Sequence, residues 1–402
     1  MKIVCVGGGP AGLYFAILVK LRNKEHDIIV LERRSAGRTY GWGIVFGEDL
    51  LDNLYNNDLE SAQEIYASSV WCDAEQVHIR GKEVAHLGGY THAIGRKHLL
   101  DILAKRAMDL GAHVQFERKV EDLSEFGSAD LIVASDGVNS RVRQLYANHF
   151  QTNVEVGRNK YIWLGTHKVF DTFTYAFEET GAGWIWFHGY PFNSDTSTCV
   201  VECSPETWKG LGFDECGPDE SLALLEDIFE PYLDNHSLIN LVNDHSKMPW
   251  LSFKHISNQD WYHGNVVLMG DAAHTTHFTI GSGTKLALED AIELAGRLSE
   301  YEDLQAALEA YKEERCAAML ALQIAARNSA QWFENIQHYI NQDAVQFAYS
   351  LSLAWRHEGK TIHEKVSWRY QRYLATQKIA ALRRLRRWVN SARRDLRARK
   401  RG

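Results

Sequence analysis

Three short segments of this 402-residue chain carry residue types and spacings that can do chemistry. The first is Gly7-Gly8-Gly9-Pro10-Ala11-Gly12, in which Gly7, Gly9 and Gly12 fit the GxGxxG pattern. In that pattern the first glycine permits a tight turn, the second lets backbone approach a pyrophosphate, and the third lets a helix pack on a strand. A helix that opens at Pro10 and Ala11 points free N–H groups and a partial positive end at the phosphates. Glu32, twenty residues past Gly12 and followed by Arg33, can accept hydrogen bonds from a ribose diol. The second segment is Ala134-Ser135-Asp136-Gly137-Val138-Asn139-Ser140, with Arg141 and Arg143 behind it. The third is Gly270-Asp271-Ala272-Ala273-His274, followed by Gly281-Ser282-Gly283-Thr284-Lys285. Its acid stands where a strand ends, and the helix that begins near Gly283 can stabilise negative charge on a ring or a sugar-alcohol oxygen. A dehydrogenase that binds only NAD needs the first segment alone, so the two further motifs point to FAD.

Around these motifs lie groups suited to proton transfer and to gripping a flat ligand. His274, His277 and His167 can serve as a general base near neutral pH. Lys285 can meet an acidic substrate group. Trp42, Tyr161, Trp163, Trp186, His188 and Phe278 are expected to line an aromatic substrate pocket, against the alternative that each packs in the core.

The elements that must position these residues follow from the hydrophobic pattern. Ile3–Val6, the helical run Leu13–Leu21 and Ile28–Leu31 make a β-turn-α-β unit. Residues 40 to 75 read as irregular, Val77–Ile79 and Val84–Leu87 as a hairpin, and His98–Leu110 as a helix. The first 140 residues thus alternate β and α, which implies a parallel sheet covered on both faces. Four strand-like runs between 160 and 203, with no helix between them, predict an antiparallel sheet. Val266–Met269 returns to the first sheet, and helical patterns dominate from 302 onward, with no proline after Pro249. The expected architecture is α/β with an α+β second lobe. A Rossmann-like FAD-binding domain (1–75, 93–158 and 260–300) holds an inserted substrate lobe (76–92 and 159–259), followed by C-terminal helices and a basic tail (301–402).

Charge divides the chain. The net charge is −8, yet residues 378 to 402 hold eleven Lys/Arg and one acid, so the body is more acidic still. Such a tail can be a solvated helix, or can contact a carrier-, peptide- or nucleic-acid-linked substrate. The six cysteines show no CxxC spacing, no metal is expected, and a reducing, cytoplasmic location fits. No apolar run is long enough for a membrane span, so no stable membrane insertion is expected.

In order and spacing, the three motifs resemble those of the FAD-dependent aromatic hydroxylases of the para-hydroxybenzoate hydroxylase type, over roughly residues 1 to 345. The resemblance implies that Gly7, Gly9, Gly12 and Glu32 bind the ADP half of FAD. It implies that Arg96, in Ile94-Gly95-Arg96-Lys97, contacts the flavin side. Asp136 and Gly137 fall near the pyrophosphate and the NAD(P)H path, and Asp271 on the ribityl chain. Departures are visible: many relatives follow GDAA with His-Pro-Pro and a Gly-Gln-Gly-x-Asn turn, whereas this chain has His274-Thr275-Thr276 and places Lys285 where Asn is usual. Gly41-Trp42-Gly43-Ile44-Val45, Gly157-Arg158-Asn159-Lys160-Tyr161-Ile162-Trp163, Val201-Glu202-Cys203-Ser204 and Trp332-Phe333-Glu334 resemble a narrower group. That group comprises the tryptophan hydroxylase of violacein biosynthesis and the salicylyl-CoA and 2-aminobenzoyl-CoA hydroxylases. The implied activity is hydroxylation of an electron-rich aromatic ring with O2 and NADH or NADPH, through a flavin C4a-hydroperoxide. Two rivals are a flavin-dependent halogenase, suggested by Trp184-Ile185-Trp186-Phe187, and a non-catalytic flavin-fold binding protein.

Overall fold

The computed structural model describes residues 1–354 apart from 73–74, 88–90 and 242–247, together with isolated positions between 381 and 396. Three sheets and the helices around them make up the described fold.

The first sheet has six strands in the order Tyr262–His263, Val266–Leu268, Leu131–Ala134, Lys2–Val6, Asp27–Leu31 and His113–Gln115. All its pairings are parallel except the first, at the edge. Lys2–Val6 is central and nearly all apolar, as a strand covered on both faces must be. The helices Pro10–Arg22, Arg96–Asp109 and Gly283–Glu300 pack together beside it. This is the expected Rossmann-like arrangement.

The second sheet has eight strands. Leu238–Ile239, Asn153–Thr166, Ser197–Cys203, Gly183–Pro191, Phe173–Thr180, Glu75–Ile79 and Lys82–Leu87 follow one another across it, and Leu251–Ser257 pairs with the first half of Asn153–Thr166. Its four central strands are antiparallel neighbours, as their sequence implied. The 14-residue strand Asn153–Thr166 runs from the Rossmann-like side into this sheet without a break.

Register sorts the residues of the second sheet onto two faces, because directly paired residues project to the same side and neighbours along a strand to opposite sides. One face carries three rows. Tyr161, Glu202, Trp186 and Phe177 form the first; Trp163, Val200, His188 and Tyr175 the second; Gly165, Thr198, Tyr190 and Phe173 the third. The other face carries Ile162, Leu164, Ala176, Ile185, Phe187, Cys199, Val201 and Cys203, packed on Phe213, Leu225, Phe229 and Leu233.

Residues 40 to 75 differ from the expected irregular segment. Gly43–Phe46 and Val70–Cys72 flank Thr91–Gly95 in a small antiparallel sheet, and the helices Glu48–Asn57 and Leu59–Ala67 lie between them in sequence. The helices were hidden by their polar content: only Leu50, Leu51 and Leu54 of the first, and Ser61, Ala62 and Ile65 of the second, are buried. Thr91–Gly95 therefore belongs with this small sheet rather than with the large one that holds the hairpin before it. The 31-residue helix Leu304–Glu334 then crosses both regions and delivers Trp332 and Phe333 to the first face of the large sheet.

Candidate active site: a dinucleotide cleft that meets an aromatic face

The glycines of the first segment are fixed by contact. Gly7 has φ +112°, and a Cβ there would fall 2.3 Å from the carbonyl oxygen of Ser135. A Cβ on Gly12 would fall 2.2 Å from the carbonyl oxygen of Gly7. Both separations are far inside van der Waals contact, so only glycine fits. Gly9 is the opposite case, with nothing within 4 Å of its Cβ position, which leaves backbone open to a ligand. Pro10 and Ala11 are buried in the first turn of the helix.

Ser135 joins the second motif to the first, donating from Oγ to the carbonyl of Gly7 at 2.9 Å. Asp136 accepts from the N–H groups of Arg141 at 2.6 Å and Val142 at 3.3 Å through Oδ2. Its Oδ1 is buried without a partner, and Gly137 after it has φ +83°. Burial raises the Asp136 pKa, and the hydrogen bonds from Ser140, Val142 and Arg141 oppose the rise.

Arg143 joins the second motif to the third. It is 4% exposed and donates to the carbonyls of Val138 at 2.6 Å and Ala272 at 2.9 Å. The sequence placed this arginine only behind its motif, and nothing in the spacing signalled a staple. Gly270 has φ +62° and donates its N–H to Asp290 Oδ2 at 2.8 Å.

A cleft of about 500 Å³ runs along the first motif, lined by Gly8, Gly9, Glu32, Arg34, Arg38, Thr39, Arg96, Lys97 and neighbours. Glu32 accepts from the N–H of Gly8 at 3.0 Å through one oxygen and from the N–H of Arg34 at 2.9 Å through the other. Arg33, expected among the contacts, is exposed, and the cleft wall is formed by Arg34 instead.

Arg96 opens its helix and donates from Nε to Thr39 Oγ1 at 3.2 Å. It lies within electrostatic reach of Glu32 on one side and Asp271 on the other. Burial lowers the Arg96 pKa, and Asp271 pulls it back up. Asp271 is exposed at its surface, yet the protein around its carboxyl raises the pKa, while Arg96 and His274 favour the carboxylate.

The phenol of Tyr161 in turn lies within electrostatic reach of Asp271. Arg96 is thus an electrostatic neighbour of both Glu32 and Asp271, and Asp271 of Tyr161, whose side chain lies on the first face of the large sheet. There Tyr161 packs against Phe278 at 4.9 Å, and His188 lies 5.9 Å from Phe278 and 5.0 Å from Phe333, centroid to centroid. Trp42 and Trp163 form a reciprocal clasp: the Trp163 ring covers Gly41, and the Trp42 ring covers Gly165. Both indole Nε1 atoms, and the Tyr40 hydroxyl beside Trp163, are buried without partners.

The structure separates the remaining expected residues. His274 donates from Nε2 to Asp290 at 2.8 Å, stacks on Trp261 and is 2% exposed, which braces the turn and leaves its Nδ1 buried without a partner. Asp290 is fully buried and also accepts from Arg315 at 2.7 Å, an interior ion-pair network whose partners hold its pKa below the usual carboxylate value. Lys285 is held by Asp49 and Glu289, away from a substrate role. His167 is exposed and bonds the carbonyl of Asp195. Trp186 is 1% exposed, bonds Glu202 at 3.2 Å and stacks under Phe333, so it is core. His277 alone of the expected bases stays in the aromatic cluster, with its Nδ1 3.0 Å from Thr279 Oγ1 and its pKa well below 6.5 through burial.

The arrangement fits FAD on two observations. The helices Pro10–Arg22 and Gly283–Glu300 both start without a side-chain cap, so their first-turn N–H groups are free for phosphate and for a ring carrying negative charge. Around the third motif, Gly281 (φ +61°), Ser282 and Gly283 form a turn in which nothing lies within 4 Å of a Cβ on Gly283, and Thr284 follows it.

Comparison with known proteins agrees. The FAD binding domain family model matches residues 1–325. Salicyloyl-CoA 5-hydroxylase of Streptomyces sp is 37% identical over 363 residues, covering 87% of this chain and 69% of that protein. The 3-hydroxy-4-methyl-anthranilyl-[aryl-carrier protein] 5-monooxygenase of Streptosporangium sibiricum is 33% identical, covering 84% of this chain and 90% of that protein. Protodeoxyviolaceinate monooxygenase of Chromobacterium violaceum is 29% identical, covering 87% and 93%. Among solved structures, 2-methyl-3-hydroxypyridine-5-carboxylic acid oxygenase has the same fold, with a TM-score of 0.67 at 20% identity over 88% of this chain and 99% of that one. The glycine-walled cleft, its line of charged neighbours and the family match lead to one conclusion: the chain belongs to the FAD-binding monooxygenase family.

Proposed function

We propose that this protein is a single-component FAD-dependent monooxygenase that hydroxylates an electron-rich aromatic ring, carried on CoA or a related thioester carrier. NADH or NADPH is the reductant and O2 the oxidant. The observation that carries this reading is a line of neighbouring side chains: Arg96 within electrostatic reach of Glu32 and Asp271, Tyr161 within reach of Asp271, and Tyr161 packed on Phe278. That line runs from a dinucleotide cleft to an aromatic-walled face within one molecule. Relatives named for an aryl-CoA and an aryl-carrier substrate support the substrate class.

The overall balance is one ring C–H, O2, NAD(P)H and a proton converted to one ring C–OH, water and NAD(P)+. Bound FAD supplies the activation of O2, which no protein side chain can provide. The chain's own residues bind, orient and exclude. The Gly7–Gly12 turn and the first helix hold the pyrophosphate, Glu32 the adenosine ribose, Asp271 the ribityl chain, and Gly281–Thr284 with the helix start the ring edge. Tyr161, Trp163, Trp42, His188 and Phe278 orient the substrate and keep water from the reacting oxygen. Lys285 is engaged by Asp49 and Glu289, and the His274 Nε2 by Asp290. The basic stretch 378–402, which lies outside the described residues apart from isolated positions, supplies cations for carrier phosphates.

The test is NAD(P)H oxidation by purified protein with salicylate, 2-aminobenzoate, tryptophan and the CoA esters of the two acids. Stimulated oxidation and a product heavier by one oxygen are expected for a CoA ester. Oxidation that yields only hydrogen peroxide with every compound would count against hydroxylation. Deleting 378–402 raises KM for a CoA ester and leaves KM for NAD(P)H unchanged, if the tail has this role.

A further inference from the structure

His188 presents a buried, unpaired ring nitrogen on the aromatic face and, unlike the Trp163 indole N–H, can accept a hydrogen bond. It occupies the second row, with Val200 separating it from Trp163 across the sheet. Its ring is walled by Tyr175 at 5.0 Å, Phe333 at 5.0 Å, Phe278 at 5.9 Å and Phe173 at 6.4 Å. The residue is 3% exposed, and Nε2 is buried with no hydrogen-bond partner. Leaving a buried polar nitrogen unpaired costs on the order of 1–3 kcal/mol, and apolar neighbours cannot relieve it. Three other polar side chains of the face are engaged, whereas the Trp163 indole Nε1 is also buried without a partner. Glu202 accepts from Asn159 and Trp186, Tyr190 donates to the carbonyl of Gly43, and Thr198 accepts from the Gly43 N–H.

The shape beside it is also specific. Val200 is a small side chain set between a tryptophan and a histidine, while in the next row Gly165 is covered by the Trp42 ring and Thr198 is bonded by the Gly43 N–H. A flat ring lying over Val200 would have Phe278 beside it and would bring a ring substituent to His188.

We infer that His188 is the specificity-determining residue of this face: its Nε2 accepts a hydrogen bond from a hydroxyl or amino group borne by the substrate ring, and Val200 is the floor under that ring. This deepens the proposed function and rests on it. Burial drives the His188 pKa down to about 3, so the imidazole is neutral throughout the working range and acts by positioning, not as a general base. The group recognised is one that also makes the ring electron-rich.

The experiment is a binding titration followed by flavin absorbance, with salicyloyl-CoA, 2-aminobenzoyl-CoA and benzoyl-CoA as probes. Wild type, His188→Phe, His188→Gln and Val200→Phe are compared, each with its FAD content measured first. Wild type is expected to bind one or both substituted esters roughly 10–100-fold more tightly than benzoyl-CoA. The two substituted esters distinguish a hydroxyl from an amino reader. In His188→Phe that preference collapses to about threefold or less, while benzoyl-CoA affinity and FAD content stay near wild type; His188→Gln keeps most of it. Val200→Phe weakens all three esters together with FAD retained. A preference that survives in His188→Phe, or a His188→Phe protein that loses all three esters equally, overturns the assignment and leaves the hydroxylase reading standing. Failure of wild type to bind any of the three, with FAD in place, overturns the aryl-CoA reading and the inference together.

Discussion

The two halves of the site are built by different means. At the dinucleotide end, backbone makes the surface: Gly7 and Gly12 are locked by separations of 2.3 and 2.2 Å from carbonyl oxygens to an added Cβ, and two uncapped helix starts supply the N–H groups. At the aromatic end, side chains make the surface, and which ones do so depends on sheet register and on what covers them. A backbone-built site tolerates almost no substitution and leaves a mark at fixed spacing in sequence. A side-chain-built site leaves only a composition and a period.

The largest effect is expected where backbone decides. Gly12→Val forces a branched side chain into the carbonyl of Gly7, so the protein loses FAD and much of its folded yield. Flavin content per chain after purification, alongside Gly9→Ala, makes the contrast. Gly9 has an open Cβ position, so its variant folds and loses affinity for FAD only.

Second comes the joint between the halves. Asp290 accepts from Gly270, His274 and Arg315 in a fully buried site. Asp290→Ala leaves a buried arginine unpaired and is expected to cost about 3–5 kcal/mol, read by denaturant unfolding. Asp290→Asn, which keeps shape and part of the bonding, costs less.

On the aromatic side a pH test separates buried structure from chemistry. Burial raises the Glu202 pKa to about 8, against an ordinary value of 4.5. The folded protein then holds a proton between these values that the unfolded chain has released, so stability falls as pH rises from about 4.5 through 8. Glu202→Gln removes that slope, and thermal unfolding at pH 6 and pH 8.5 should show a larger gain in Tm at the higher pH. A variant with the wild-type slope would mean that Glu202 is already ionised at neutral pH.

The smallest effect belongs to Lys285. Its partners are Asp49 and Glu289 near the surface, so Lys285→Ala is expected to shift stability by about 1 kcal/mol or less and to leave KM for the aryl ester within about twofold. A large rise in KM would restore it to the substrate site.

The same division explains what could be read in the sequence. The Rossmann-like sheet, the antiparallel second sheet and the three motifs were legible, because alternating β and α runs and glycines at fixed spacing have mechanical causes. Arg34 rather than Arg33 lines the cleft, and nothing in residue type or spacing distinguishes the two adjacent arginines. Trp186 looked like a pocket residue because it shares its face with Tyr161 and His188. Only Phe333, arriving 147 residues later on another element, covers it. His274 and Lys285 looked catalytic until Asp290, Asp49 and Glu289, partners at no diagnostic spacing, proved to hold them. Arg143 and Arg315 are structural for the same reason. The helices between 48 and 67 were missed because a narrow apolar stripe on a polar helix resembles loop composition.

The account stands on FAD binding in the glycine-built cleft with its ring toward the aromatic face, and flavin occupancy tests it most directly. Protein purified from cells supplied with riboflavin is expected to carry one FAD per chain, and an aryl-CoA ester should perturb the flavin spectrum, as a ligand beside the ring would. Protein that folds, shows no flavin absorbance and fails to bind added FAD would contradict it.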